Sequence, residues 1–267
     1  MVTRLKTLNP VRPSAAIEIA YRRRLDALLE EMNNSLIYWL SARYRANEPE
    51  IVKLAQDASP AVNLRNAFRR LSRRWQGRFD DLASDLAKYF ALQTAQRSTA
   101  ALQSMLRRGG MSVKFKMSRP VNDVIQASIA ENVGLIKSIA QQHLTAVEGH
   151  VMRSVQAGRD LGTLAQALEA QFDVTKRRAA LIARDQNNKA TATITRTRHM
   201  ELGVQEAIWV HSHGGKVPRP THVKAGRDKV RYNVAEGWYD PHEKKNIWPG
   251  ELINCRCIAR AVIPGFV

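Results

Sequence analysis

Cysteine is nearly absent: two in 267 residues, Cys255 and Cys257, with a single arginine between them. A bridge between them would close almost no loop, so no disulfide framework holds this fold, and the usage suits a reducing cytoplasm. Aromatics make up only 6% of the chain, so the core must be mostly aliphatic side chains and alanine. No apolar run approaches the roughly 18 residues that mark a membrane span. The start, M-V-T-R-L-K-T-L-N-P, lacks the apolar stretch of a signal peptide. There is no P-loop, no G-x-G-x-x-G and no H-E-x-x-H, and no carboxylate cluster suggests a divalent-metal nuclease. Repeats of fixed period and low-complexity segments are missing as well.

Positive charge is plentiful. The net charge is +18, with a pI near 10.5. Residues 1–118 carry 21 Lys+Arg against 10 Asp+Glu, and residues 119–267 carry 21 against 14. The excess is spread along the chain rather than confined to a tail, which favours contact with DNA, RNA or an acidic protein surface.

Helical periodicity dominates up to Gly203. Pro10 and Pro13 delay the first helix, and Ser14 can cap it. Tyr21, Leu25, Leu28, Met32, Leu36, Trp39 and Leu40 then recur in steps of three and four, predicting a helix to about Tyr44 that breaks at Asn47–Pro49. Pro60 opens a second helix, to Arg108, with the stripe Leu64, Phe68, Leu71, Trp75, Phe79, Leu82, Leu86, Tyr89 and Gln93. Such a helix would be about 70 Å long, so the two are expected to form an antiparallel hairpin or to pack on a partner. Arg65, Arg69, Arg70, Arg73, Arg74 and Arg78 crowd its other face. They read either as a solvated surface or as a DNA- or portal-facing one.

Gly109-Gly110 ends this helix. Met111–Ser118 alternates as a short strand or an extended linker. A third helix follows from Pro120 to Ala157-Gly158, with Val121, Ile125, Ile129, Val133, Ile136, Ile139, Leu144, Val147 and Val151 inward. A short helix opens at Leu161 with a Thr163/Gln166 capping box, and Asp173 or Thr175 is expected to cap another that runs to Gly203. The expected fold is mainly α, in three regions: long helices over 1–118, a helical middle over 119–203, and a small α+β cap over 204–267.

The cap concentrates the chemistry. Trp209 to Cys257 holds three of the five tryptophans, four of the seven histidines and both cysteines. Strands are expected at Ala207–His211 and Cys255–Val262, paired with each other, with a turn at Gly214-Gly215 and with Pro218–Gly226 and Trp238–Gly250 wrapped over them. Trp209, Trp238 and Trp248 suit a small core beneath the loops, or one of them an anchor for a partner protein. His222, Cys255 and Cys257 are candidate zinc ligands, with His242, Asp240 or His213 to complete four; without metal, the cysteines are small buried groups and His222 organises its turn by hydrogen bonds. A Cys–His nucleophile pair, or a nuclease site from His222, Arg219 and Asn254, has no characteristic spacing here.

The order of these elements carries a resemblance. Ile182–Gly203, with Asn187, Thr191, Arg196 and Gly203, leads to a strand with Trp209. R-P-T-H (Arg219, Pro220, Thr221, His222) and Gly226 follow, and Trp248-Pro249 opens into N-C-R-C (Asn254 to Cys257). Over roughly residues 150–260 this resembles the Mu F-like minor head proteins of the tailed-phage head-morphogenesis family. The chain departs from that pattern at Gly214-Gly215-Lys216, where the family usually has an acidic residue. The resemblance implies a protein of the virion head near the portal, assembled in the host cytoplasm and oligomeric in the particle. Its implied partners are the portal, the major capsid or scaffolding protein and packaged DNA, with no membrane. It would act by binding, with no cofactor or with one structural zinc. Some relatives carry an added toxin or enzyme domain, for which no room is expected ten residues after Cys257. The competing readings are a basic nucleic-acid-binding protein without a capsid role and a thiol- or metal-dependent hydrolase.

Overall fold

The computed structural model describes residues 7–46, 60–157 and 161–263. Among these the chain forms α1 (Ala15–Ala46), α2 (Pro60–Arg108), α3 (Arg119–Gln156), α4 (Leu161–Glu201), β1 (Glu206–Val210), α5 (Pro220–Arg227), β2 (Arg231–Asn233), β3 (Trp238–Asp240), β4 (Lys245–Ile247) and β5 (Ile258–Val262). The class is mainly α with a small α+β cap. No helix among the described residues is long and apolar enough to cross a membrane. The expected breaks at Asn47–Pro49 and Gly158 lie outside the described residues.

The chain divides into two compact units. One comprises Ala20–Leu86 and Glu131–Ile182, the other Met1–Ile19, Ala87–Ala130 and Ala183–Val267. The regions read from the sequence follow changes of element type along the chain. The compact units instead join stretches far apart in sequence, because each amphipathic helix buries its stripe against helices from elsewhere.

In the first unit, segments of α1 to α4 each bury an apolar face. Tyr21, Leu25, Met32 and Leu36 of α1, Phe68, Trp75 and Phe79 of α2, Ile136, Ile139 and Val147 of α3, and Leu164 and Leu168 of α4 are all buried. Helices α1 and α2 are antiparallel: Trp75 Nε1 donates to Ser35 Oγ at 3.1 Å, and Arg78 reaches Glu31 at 3.1 Å. Helices α3 and α4 are antiparallel too, with Arg178 on Ser138 and His143 against Thr175. A polar pair crosses the interior, where the Tyr21 hydroxyl donates to Asn132 Oδ1 at 3.0 Å.

Several sequence expectations shift here. Trp39 is 43% exposed rather than inward, stacked edge-on against Tyr38. Beyond Leu82, α2 buries Ala83, Ala87, Phe90 and Thr94 while Tyr89 is half-buried and Gln93 exposed. A helix of 3.6 residues per turn drifts away from a strict heptad, so a seven-residue stripe leaves the core after a few turns. In α3, Ser128 and Asn132 are buried where Ile129 and Val133 are only half-buried. The expected restart at Asp173 or Thr175 does not occur, and α4 is a single helix of 41 residues. The Thr175 hydroxyl donates back to the Gln171 carbonyl at 2.9 Å, a use of threonine compatible with the helix interior. Thr163 accordingly lies in the first turn of α4 rather than before a separate short helix.

The second unit holds the cap. Gly203, with φ +71°, ends α4 in a paired turn: its N–H bonds Met200 O, and Val204 N–H reaches back to His199 O. A three-stranded antiparallel sheet of order β2-β1-β5 follows, with Trp209 opposite Ala259 and Ala207 between Tyr232 and Ala261. The β1–β5 pairing matches expectation, but β5 begins at Ile258, so both cysteines precede it. β3 and β4 form a separate hairpin. The N-terminal arm joins the far side of β5, where Leu8 N–H bonds Ala261 O at 3.0 Å and Leu8 and Val11 enter the cap's core. Met111–Ser118 is not a strand. Its carbonyls are taken by side chains, Val113 O by Gln103 and Lys116 O by Arg198, at 2.9 Å each.

Burial holds His143 and His199 down at about 4 each. Unfolded, each titrates near 6.5, so between those values the unfolded chain binds more protons than the folded one. Stability should be complete above pH 6.5 and fall as pH drops toward 4, at most by about 1.4 kcal/mol per pH unit per histidine. Denaturant unfolding from pH 7 to 4.5 measures the slope, and His143→Gln should reduce it.

Candidate functional site

The R-P-T-H residues open α5. Arg219 is its N-cap residue, with extended backbone, and Pro220 fills the first helical position, where no N–H is needed. Both terminal nitrogens of Arg219 donate to Ile253 O, at 3.3 and 3.2 Å, while Glu243 lies 3.9 Å from its Nε. The arginine of one motif therefore holds the backbone just before the other motif. One turn into α5, His222 is only 2% exposed, its ring edge-on to the fully buried Trp209 at 5.0 Å between centroids. Gly226 makes this packing feasible: an added Cβ would lie 2.4 Å from His211 Cβ and 2.9 Å from its backbone nitrogen.

N-C-R-C is shaped by left-handed backbone at Gly250 (φ +86°) and Asn254 (φ +59°). Asparagine tolerates that conformation better than most residues, which accounts for Asn254 although its side chain is exposed. The motif is clamped from α4. Asp185 accepts the Asn254 N–H, and Asn188 Nδ2 donates to Cys255 O at 3.3 Å. Arg256 donates to Gly214 O, so the segment that departs from the family pattern still touches the motif through its backbone. Trp248 is half-buried, its indole N–H on Val234 O at 2.9 Å and the Arg196 guanidinium 4.1 Å above its ring. Trp238 packs on Trp209 at 5.1 Å, so the three tryptophans do gather around one small core.

These constraints bring His222, Cys255 and Cys257 together. His222 Nδ1 lies 3.5 Å from Cys255 Sγ and 3.7 Å from Cys257 Sγ. On the opposite side of the ring, Nε2 lies 3.5 Å from Oδ2 of Asp240, which is fully buried. Asp240 is fixed in turn by the Thr221 hydroxyl at 3.1 Å and the His242 N–H at 2.9 Å. Gly250 N–H points at Cys255 Sγ, 3.4 Å away. The adjacent Cys257 thiol lowers Cys255 against the effect of burial, and His222 adds to the lowering. Cys257 is pushed up by Cys255 and by burial.

Of the extra ligands read from the sequence, Asp240 stands behind the histidine rather than beside the sulfurs, and His242 is exposed. His213 is exposed and contacts His211. The triad forms part of the wall of a cleft of about 370 Å³ that His211, Arg219, Asn254 and Arg256 also line.

The arginine cluster lies on α2 in the other unit. All six side chains are exposed; Arg65 pairs with Glu148 and Arg78 with Glu31, while Arg69, Arg70, Arg73 and Arg74 have no acidic partner among the described residues. Asp185 and Asn188 were not singled out by motif. Their signal is the D-Q-N-N run on inward-facing turns of α4, where polar residues need backbone partners.

Residues 145–260, the end of α3 through β5, match the family described as Phage Mu protein F like protein. Over that stretch the chain is similar to Mu F-like proteins. The match supports a phage head-related protein. The chain is also 26% identical over 265 residues to an uncharacterized protein of Haemophilus influenzae, covering 97% of this chain and 56% of that protein. It therefore spans little more than half the length of the curated relative it matches. No solved structure matches.

Gly226→Ala should destabilise the cap by about 1–3 kcal/mol or more, since the clash is with backbone and Cβ rather than a flexible tip. Thermal unfolding followed by near-UV circular dichroism, to which the cap contributes three of the five tryptophans, measures this; an unchanged midpoint would contradict the packing of α5 on His211.

Proposed function

We propose that this protein is a minor head protein of a tailed phage or prophage. In this reading it joins the capsid near the portal during head morphogenesis, is oligomeric in the particle, and acts by binding rather than turnover. The Mu F-like match over the cap and α4 carries the reading. The geometry is consistent with it, since Arg219, Asp185 and Asn188 are engaged in holding backbone. The partners would be the portal protein and the major capsid or scaffolding protein.

A second reading, a basic nucleic-acid binder without a capsid role, is favoured by one observation. Four neighbouring arginines on α2 lack acidic partners among the described residues, in a chain of net charge +18. The two readings meet if this face lies against packaged DNA. A capsid component should sediment with procapsids and portal after nuclease treatment, whereas a free DNA binder should be released. If the arginines contact phosphate, affinity for duplex DNA should fall steeply with salt and depend little on sequence. Replacing Arg69, Arg70 and Arg73 by glutamine should then flatten the slope of log affinity against log salt by about 3. An unchanged slope would return this face to ordinary solvation.

A further inference from the structure

We propose that His222, Cys255 and Cys257 bind a zinc-type divalent metal ion, with one coordination position facing the cleft. Three independent features of the geometry support this.

The first is spacing. Zinc sits about 2.3 Å from thiolate sulfur and about 2.0–2.1 Å from imidazole nitrogen, and tetrahedral angles then place N and S about 3.5 Å apart. The observed separations from His222 Nδ1 are 3.5 and 3.7 Å. All three donor atoms lie within 4.8 Å of one another. A sulfur-to-imidazole hydrogen bond requires only one such pair; here a single nitrogen faces two sulfurs.

The second feature is the far side of the ring. A ligating histidine usually gives its other N–H to a carboxylate, which fixes the ring and raises its basicity. His222 Nε2 faces Asp240, a fully buried carboxylate held by Thr221 and the His242 amide. Nε2 makes no well-aligned hydrogen bond, so this buried pair lacks full compensation from the protein alone. A cation bound at Nδ1 would supply what a buried carboxylate otherwise lacks.

The third is preorganisation. Three contacts converge on the cysteine segment without involving the triad's own donor atoms, Arg219 on Ile253, Asp185 on Asn254 and Asn188 on the Cys255 carbonyl, and a fourth, from Gly250 N–H, reaches the Cys255 sulfur itself. The last is a hydrogen bond suited to a thiolate rather than a thiol.

Among the described residues no fourth His, Cys, Asp or Glu joins the donor set. The triad borders the cleft, with Arg219 and Arg256 in its wall. The remaining position therefore suits water or a small anion. Bound metal would tie α5 to the segment before β5, so its binding energy would add to the stability of the cap.

The test uses the full chain, freed of metal by chelation and then titrated with Co²⁺ and with Zn²⁺. One Co²⁺ per chain should bind with a thiolate-to-metal charge-transfer band and tetrahedral visible bands, and Zn²⁺ should displace it. Adding azide should shift the visible bands if the fourth position is open. Cys255→Ser with Cys257→Ser should abolish the charge-transfer band. Asp240→Asn should weaken metal affinity on the order of 10–100-fold while keeping the band. Far-UV circular dichroism reports whether each variant is folded, and His222→Gln serves as a second ligand variant. No charge-transfer band in the folded wild type, or a band that survives in the folded double cysteine variant, would overturn the site. A band insensitive to azide would overturn the open position. None of these readouts depends on capsid association, so the site and the head-protein reading fail separately.

Discussion

A helix that turns polar side chains inward must find partners for them, and in this protein Asp185, Asn187, Asn188 and Arg198 find theirs on the backbone of other segments. Along the last turns of α4, Asp185, Gln186, Asn187, Asn188, Thr191 and Thr195 are all buried. Asp185 and Asn188 hold N-C-R-C, Asn187 donates to Ser14 O just ahead of α1, and Arg198 holds Lys116 O before α3. Three segments distant in sequence thus take their places from one helix. An unmet buried polar group costs on the order of 1–3 kcal/mol, so the arrangement is demanding: each contact fixes a segment, and each segment satisfies a group that would otherwise be stranded.

This explains why the cap can be small and still ordered. Its sheet is three short strands and its second ribbon two strands of three residues, which is little on its own. Its order comes from Trp209 at the centre, from the N-terminal arm on the free edge of β5, and from the clamp by α4. Left-handed Asn254 and Gly250 then turn the chain sharply enough to put two sulfurs on one side of one imidazole. The conformations are local, but the scaffold that stabilises them is tertiary.

Much of the helical part was legible in the sequence. Pro60 and the Gly109-Gly110 pair bound α2, and the three-four spacing of Tyr21 to Leu36 names the buried face of α1. The misplacements share a cause. Hydrophobicity or a seven-residue period places Trp39, Tyr89 and Gln93 inward, whereas a packed helix buries whatever its neighbours cover, alanine and threonine included. Thr175 looked like a cap because threonine often caps. Inside a continuous helix the same hydroxyl found the carbonyl four residues back.

In the cap, the sequence by itself determined which residues were candidates to meet. R-P-T-H and N-C-R-C supply rigid, left-handed-tolerant and metal-philic residues, and the order of the motifs carries the resemblance to the Mu F-like family. Tertiary structure alone decided how they meet: which imidazole nitrogen faces the sulfurs, that Asp240 stands behind the ring, and that the N-terminal arm closes the sheet. The reason is physical. Periodicity and capping act within a few residues and leave a pattern there. A contact across more than thirty residues, such as His222 with Cys255, is selected by the whole set of packed elements and leaves no local trace.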